Sequence, residues 1–193
     1  FKGETLLRSF KIGKTAPSGN HTFIMLEGDT RIYQANTSFK NEFETSVEKL
    51  RDKQVLTFEE DAIEQITIEK GGVVKTLTAV LSKDDLEKNK VSWKFEDGSL
   101  PDKEALTNLL SSLSALTCEH FSYNLSKEDL EKKSPLLKII LETKPPIVLN
   151  LFDRNGEEAL DGTSSMSPYP FVLESYKAKD ILSYGDTLAG LDD

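Results

Sequence analysis

Ile63-Glu64-Gln65-Ile66-Thr67-Ile68-Glu69-Lys70-Gly71-Gly72-Val73-Val74-Lys75-Thr76-Leu77-Thr78-Ala79-Val80-Leu81 is the stretch whose reading decides the fold. Ile63, Ile66 and Ile68 line one strand. Gly71-Gly72 is a hairpin signal: a two-residue hairpin turn needs positive φ at both central positions, which glycine adopts without a side-chain clash. Val73 to Leu81 then returns as the partner strand. A strong antiparallel hairpin in mid-chain sets the expectation of a sheet that helices cover.

Downstream, after a polar stretch from Ser82 to Lys90, a short strand carries Trp93 and Phe95, and Asp97-Gly98 turns the chain. Pro101 is placed in the first turn of a helix. Leu106, Leu109, Leu110, Leu113 and Leu116 keep a 3.6-residue period, which predicts a helix over 102–117 with a buried leucine stripe. Phe121 and Tyr123 follow on a short strand, and 124–134 reads as a polar loop. Ile147 to Phe152 reads as a strand, Asp153-Arg154-Asn155-Gly156 as a hairpin turn, and Tyr169 to Glu174 and Asp180 to Tyr184 as later strands. The tail from Gly185 is expected to fray.

Upstream, Leu6 to Ile12, Thr22 to Glu27 and Arg31 to Gln34 read as strands, with Gly28-Asp29 turning the chain between the last two. Ser38 is a candidate N-cap for a helix reaching Lys53, with Phe39, Phe43, Val47 and Leu50 as its buried stripe. Leu56-Thr57-Phe58 opens the next block. The expected fold is α+β: mainly antiparallel sheets with a few packed helices, built from an internally duplicated unit.

The duplication is read from order and spacing. Phe1-Lys2-Gly3-Glu4 answers Phe152 through Glu157, Ile12-Gly13 answers Asp161-Gly162, and Phe23 to Glu27 answers Phe171 to Glu174; Ile32-Tyr33 is set against Ile181 to Tyr184. It divides the chain into residues 1–55, a β-meander plus helix forming a first, N-terminally truncated repeat, and 56–193, a second repeat of β-hairpin, leucine-rich helix and β-meander. The opening Phe1-Lys2-Gly3-Glu4-Thr5 reads like the middle of a hairpin, which sets the expectation of further residues upstream.

Composition narrows the class of function. Of 193 residues, 37% are hydrophobic and 30% charged, an ordinary globular balance, and the net charge is −9. That charge repels a phosphate backbone and an anionic lipid surface, so no nucleic acid and no direct membrane insertion by this chain is expected. No run of about 18 apolar residues is present to span a bilayer as a helix. Cys118 is the one cysteine, so no intrachain disulfide can form; after an apolar helix it reads as a small buried hydrophobe.

Several segments together resemble the bacterial domain-of-unknown-function family 4340. They are Leu50-Arg51-Asp52-Lys53 leading into Leu56-Thr57-Phe58, the strand from Ile63 to Ile68 ending in Gly71-Gly72, Trp93, Pro101-Asp102, the leucine helix through Leu116, and Phe121. The resemblance implies an extracytoplasmic location, periplasmic or at the cell surface, with a membrane anchor upstream of this chain. It also implies a setting beside ABC transporters of the gliding-motility type, and hence a protein partner, membrane transporter components among the candidates. It brings no catalytic, cofactor-binding or metal-ligating residues. The polar stretch Ser126 to Ser134 departs from the family pattern.

No constellation in the sequence carries chemistry. Gly13-Lys14-Thr15 lacks the glycine that a phosphate-binding loop needs five positions earlier, where Arg8 stands, and no helix signature follows. His21 and His120 lack a second ligand at chelating spacing, apart from Cys118 two residues before His120. Glu59-Glu60-Asp61, Asp84-Asp85 and Asp192-Asp193 read as solvated turns. Asp153-x-Asn155-Gly156 lacks the later carboxylate of a calcium loop. Thr163 to Ser167 reads as a flexible loop with no nucleophile elbow. The sequons at Asn20, Asn36 and Asn124 read as chance matches. No catalytic residue, cofactor or metal is therefore expected. The leading expectation is a non-enzymatic interaction or scaffold domain. The alternative is a small-molecule or glycan-binding module using a cleft near Trp93 or the 163–169 loop, with an enzyme of unrecognised type third.

Overall fold

The computed structural model describes residues 9–36, 47–81 and 91–191. The chain forms two compact units, Phe1–Asp52 and Lys53–Asp193.

In the first unit, β1 (Phe10–Thr15), β2 (Thr22–Leu26) and β3 (Tyr33–Ala35) form a three-stranded antiparallel meander in the order β1-β2-β3. Asp29 holds the turn before β3: its carboxylate accepts from Arg31 N–H (2.9 Å), Arg31 Nε (3.0 Å) and the Tyr33 hydroxyl (2.7 Å). The Arg31 side chain above all keeps that carboxyl well below its ordinary range. The expected strand Leu6 to Ile12 begins at Phe10 among the described residues and runs on to Thr15. The third strand begins at Tyr33 rather than Arg31. Of the expected helix Ser38 to Lys53, α1 (Val47–Leu50) is described, and it stops before Arg51. Phe39 and Phe43 lie outside the described residues, and Leu50, expected on the buried stripe, is exposed.

The second unit begins with β4 (Gln54–Thr57) and a 3-10 turn over Glu60–Ala62. β5 (Gln65–Lys70) and β6 (Val73–Leu81) form the hairpin around Gly71 and Gly72, whose φ values of 56° and 80° are the left-handed pair that a two-residue turn demands. Ile66, Ile68 and Leu77 turn to the core, while Val74 and Val80 on the other face are exposed. Ile63 is buried ahead of β5 rather than within it.

β7 (Val91–Phe95) precedes α2 (Lys103–Ser114). Asp102 caps α2, accepting from the Ala105 N–H at 2.8 Å, so Pro101 sits one residue before the cap rather than inside the first turn. Leu106, Leu109, Leu110 and Leu113 are buried as the stripe requires. Leu116 is buried too, but on β8 (Ala115–Thr117), which pairs with β4. β9 (His120–Phe121) stops short of Tyr123. The expected loop 124–134 contains α3 (Lys127–Glu131), capped by Ser126 and burying Leu130.

β10 (Leu137–Glu142), a strand missing from the sequence reading, lies inside the sheet between β5 and β11 (Ile147–Phe152). β12 (Leu160–Ser164) and β13 (Phe171–Leu173) complete an eight-stranded antiparallel sheet ordered β7-β6-β5-β10-β11-β12-β13-β9. The expected strand Asp180 to Tyr184 is part of α4 (Ser175–Ala189). Ala178, Ile181, Gly185, Leu188 and Ala189 make its buried stripe at helical spacing, so residues 185–189 pack rather than fray. Gly190, at φ 71°, closes the helix with its N–H on the Asp186 and Thr187 carbonyls.

α4 lies on β5 and β6, and α2 packs against α4, β4 and β8. One apolar core joins the two helices to the sheet. Lys70 reaches across it from β5, donating to the Leu182 carbonyl at 2.7 Å and pairing with Asp186 at 2.5 Å.

Candidate functional site

The β7 edge and the start of α2 enclose a cleft of about 650 Å³ within the second unit. Alternation places Val91, Trp93 and Phe95 on one face of β7. The half-buried Trp93 and Phe95 pack against the core on the helix side. Trp93 forms part of the cleft wall with Val91, Leu100 and Pro101; Leu106 and Leu110 of α2 stand opposite, and Glu60, Asp61 and Lys103 bring charge to it.

β7 ends the sheet, and its backbone groups alternate between the β6 side and the outer side. Ala79 faces Trp93 across the β6–β7 ladder, yet the Ala79 N–H donates to the Glu64 carbonyl on the β5 side. The Ala79–Trp93 rung therefore carries no ladder hydrogen bonds, and the N–H and C=O of Trp93 point out of the sheet. The same parity sends those of Val91 outward. At Phe95 the outward groups are already used: its N–H donates to Ser99 O (3.0 Å) and its C=O accepts from Gly98 N–H (2.9 Å). Asp97 fixes that turn. Hydrogen bonds from the Ser99 hydroxyl and N–H hold its carboxyl below the ordinary range.

On the sheet face away from the core, Asp161 is 5% exposed. Burial pushes its carboxyl pKa up, while Arg154, Lys133 and His120 pull it down and Glu157 adds to the rise. Arg154 Nε stands 3.9 Å from the carboxylate.

The residues weighed in the sequence do not converge. Gly13-Lys14-Thr15 runs along β1 rather than around a phosphate-sized loop. The ring of His21 hydrogen-bonds to the Ser18 hydroxyl at 3.0 Å, and His120 lies 3.8 Å from Glu119. Cys118 is buried. Gly156 N–H caps the Asp153 carboxylate at 3.3 Å, the work of a turn. Thr163 and Ser164 are buried strand residues of β12, not a flexible loop; Asn150 pairs with Thr163 at 3.1 Å. Asn20, Asn36 and Asn124 are exposed, and Asp84-Asp85 and Asp192-Asp193 lie outside the described residues. Among the described residues no group of three or more His, Cys, Asp or Glu is placed to hold a metal ion, and no helix is long and apolar enough to cross a membrane.

Glu60 and Asp61, read from sequence as a solvated turn, stand on the cleft. Their neighbours there come from β7 and α2, so no local pattern announces the site.

The family described as a domain of unknown function (DUF4340) matches residues 1–136. No curated protein and no solved structure matches the chain.

Proposed function

The chain belongs to the DUF4340 family, and from that premise we propose that it is a non-enzymatic interaction domain of a membrane-anchored bacterial protein. It works outside the cytoplasmic membrane and docks on a protein partner, with ABC-transporter components the first candidates. The observation that carries the interaction reading is the apolar cleft beside β7, the terminal strand of the described sheet, with Trp93 in its wall and Glu60, Asp61 and Lys103 around it. Aromatic and aliphatic walls with a few charges are what a recognition site offers. The location and the transporter link rest on what the family resemblance implies.

Both are tested on the full-length protein in the bacterium that makes it. Protease added to spheroplasts should degrade the domain, and gentle detergent extraction should recover it with transporter subunits. Degradation only after lysis would remove the extracytoplasmic location. Recovery without transporter subunits, at expression levels where those subunits are detected in the extract, would remove that partner.

The size of the cleft favours a second reading, a small-molecule or glycan-binding module: sites for small ligands run from roughly 300 to 1,000 Å³. A saturable quench of Trp93 fluorescence by a mono- or disaccharide would favour it over protein docking.

We also propose that the β1–β2 and β12–β13 hairpins descend from one duplicated unit. What supports this is Gly13 standing against Phe23 and Gly162 against Phe171, each glycine on the first strand and each phenylalanine on the second. Both glycines lie in strands, and the likeness stops after the second strand: β3 follows β2, whereas Ile181 to Tyr184 is helical. In a crystal structure, β1–β2 and β12–β13 should superpose with Gly13 on Gly162 and Phe23 on Phe171; a superposition that sets either glycine on another residue would sink the duplication.

A further inference from the structure

We propose that the Trp93 cleft takes an extended segment of a partner protein, apolar at alternate positions and carrying a basic residue, which adds to the open edge of β7 as a ninth strand. The proposal rests on the interaction reading above and gives its binding mode.

Three features converge on an extended peptide. Val91 and Trp93 each turn an N–H and a C=O outward, and β7 is the terminal strand of its sheet, with no strand among the described residues on its outer side. Such a row of backbone groups is a template for one more strand. Beside it, the cleft between β7 and α2 lies on the face where every second side chain of an added strand would point, and its walls there are Val91, Trp93, Leu106 and Leu110. Backbone pairing would supply affinity, and the cleft would select the side chains. The added strand would also have a defined stop, because Ser99 already occupies the edge at Phe95.

Charge sets the third requirement. The 3-10 turn carrying Glu60 and Asp61 precedes Glu64, which pairs with Ala79, so it lies beyond the Trp93 rung toward Val91. Both carboxylates are exposed and border the cleft. A Lys or Arg at that end of the segment would meet opposite charge, which favours the right register and the approach of the partner. A second copy of the chain fits less well. Its own Val91 and Trp93 already line its own cleft and cannot fill this one, and both copies carry a charge of −9.

Trp93 is the single tryptophan of the chain, so its emission reports occupancy directly. The probe is a phage-displayed library of short random peptides selected against the whole chain, with the selected peptides then synthesised. The expected result is a set with alternating apolar residues and a Lys or Arg at one end. Their binding should shift Trp93 emission and protect the Val91 and Trp93 amides from hydrogen exchange. Val91→Pro removes one outward donor at a strand start, where proline is tolerated, and should weaken binding about tenfold. Asp61→Lys, at an exposed turn, should weaken the basic peptides several-fold and keeps the test open if Val91→Pro does not fold. Peptides that bind both variants as well as wild type, or leave Trp93 unchanged, would overturn strand addition while leaving the interaction reading standing. No selected peptide, together with self-association in sedimentation that Val91→Pro abolishes, would overturn the proposal in favour of a second copy. No selected peptide and a monomer would overturn it outright, and the transporter co-purification would decide the broader reading separately.

Discussion

Gly162 has no room for a side chain. A Cβ built there would stand 2.3 Å from the Phe171 ring, which lies over the glycine from the neighbouring strand. Phe171 is fully buried and cannot swing clear. Gly162→Ala should therefore destabilise the protein by about 1–3 kcal/mol, the usual range for overpacking, read as a lower urea midpoint at unchanged slope. Gly13→Ala, 3.2 Å from the Phe23 carbonyl on an exposed strand, should cost less. Asp161 gives a prediction in pH. Burial raises its folded-state pKa above the unfolded value of about 3.9, so the unfolded chain releases the proton first and stability falls as pH rises from there through the raised value. Asp161→Asn should be the more stable protein at neutral pH, and urea melts should show its advantage shrinking as pH falls through that window. An advantage that stays constant with pH would mean that the carboxylate's ionisation carries no cost.

At the scale of the element, α2 and α4 show what periodicity can and cannot tell. The leucines of α2 are spaced so regularly that its buried face is legible from sequence, and Leu109 and Leu113 are fully buried. Leu109→Ala should cost about 2–5 kcal/mol in a denaturant melt, and a change below about 0.5 kcal/mol would show that the stripe is not packed. Asp102→Ala removes the cap on the Ala105 N–H and should cost about 0.5–2 kcal/mol, with asparagine at the same position restoring most of it. Over 180–184 alone, Ile181-Leu182 is compatible with a strand, and the segment is helical within α4. Extending the window to Ala178, Gly185 and Leu188 recovers the helical period, but two of those three residues are so small that they contribute little hydrophobic signal. In β10, Leu137, Ile139 and Leu141 alternate with Lys138, Ile140 and Glu142, and all three of the first set are buried. Ile140 on the outer face blurs that alternation, which makes β10 a weaker strand signal in the sequence than β5.

Across the whole molecule, every described residue of the main apolar core belongs to the second unit, from Val55 to Leu188. Residues 53–193 expressed alone should therefore fold and unfold cooperatively in urea. A broad, non-cooperative transition would show that residues 1–52 complete that core. The order of the sheet could not be read in advance, because β10 enters between β5 and β11 only once the chain has gone through β7, α2 and α3. The cleft has the same origin: Glu60, Trp93 and Leu110 meet there from three separate elements.

The sequence by itself determined the α+β class, the Gly71-Gly72 hairpin, the leucine face of α2 and the turn at Asp97-Gly98. Each depends on backbone preferences or a burial period contained within about one or two turns or a single strand. The tertiary structure decided the helical state of α4, the place of β10, the position of β7 at the end of the sheet and the acidic border of the Trp93 cleft. These depend on which apolar faces find each other across long separations in the chain, and short-range propensity is too weak to specify that choice.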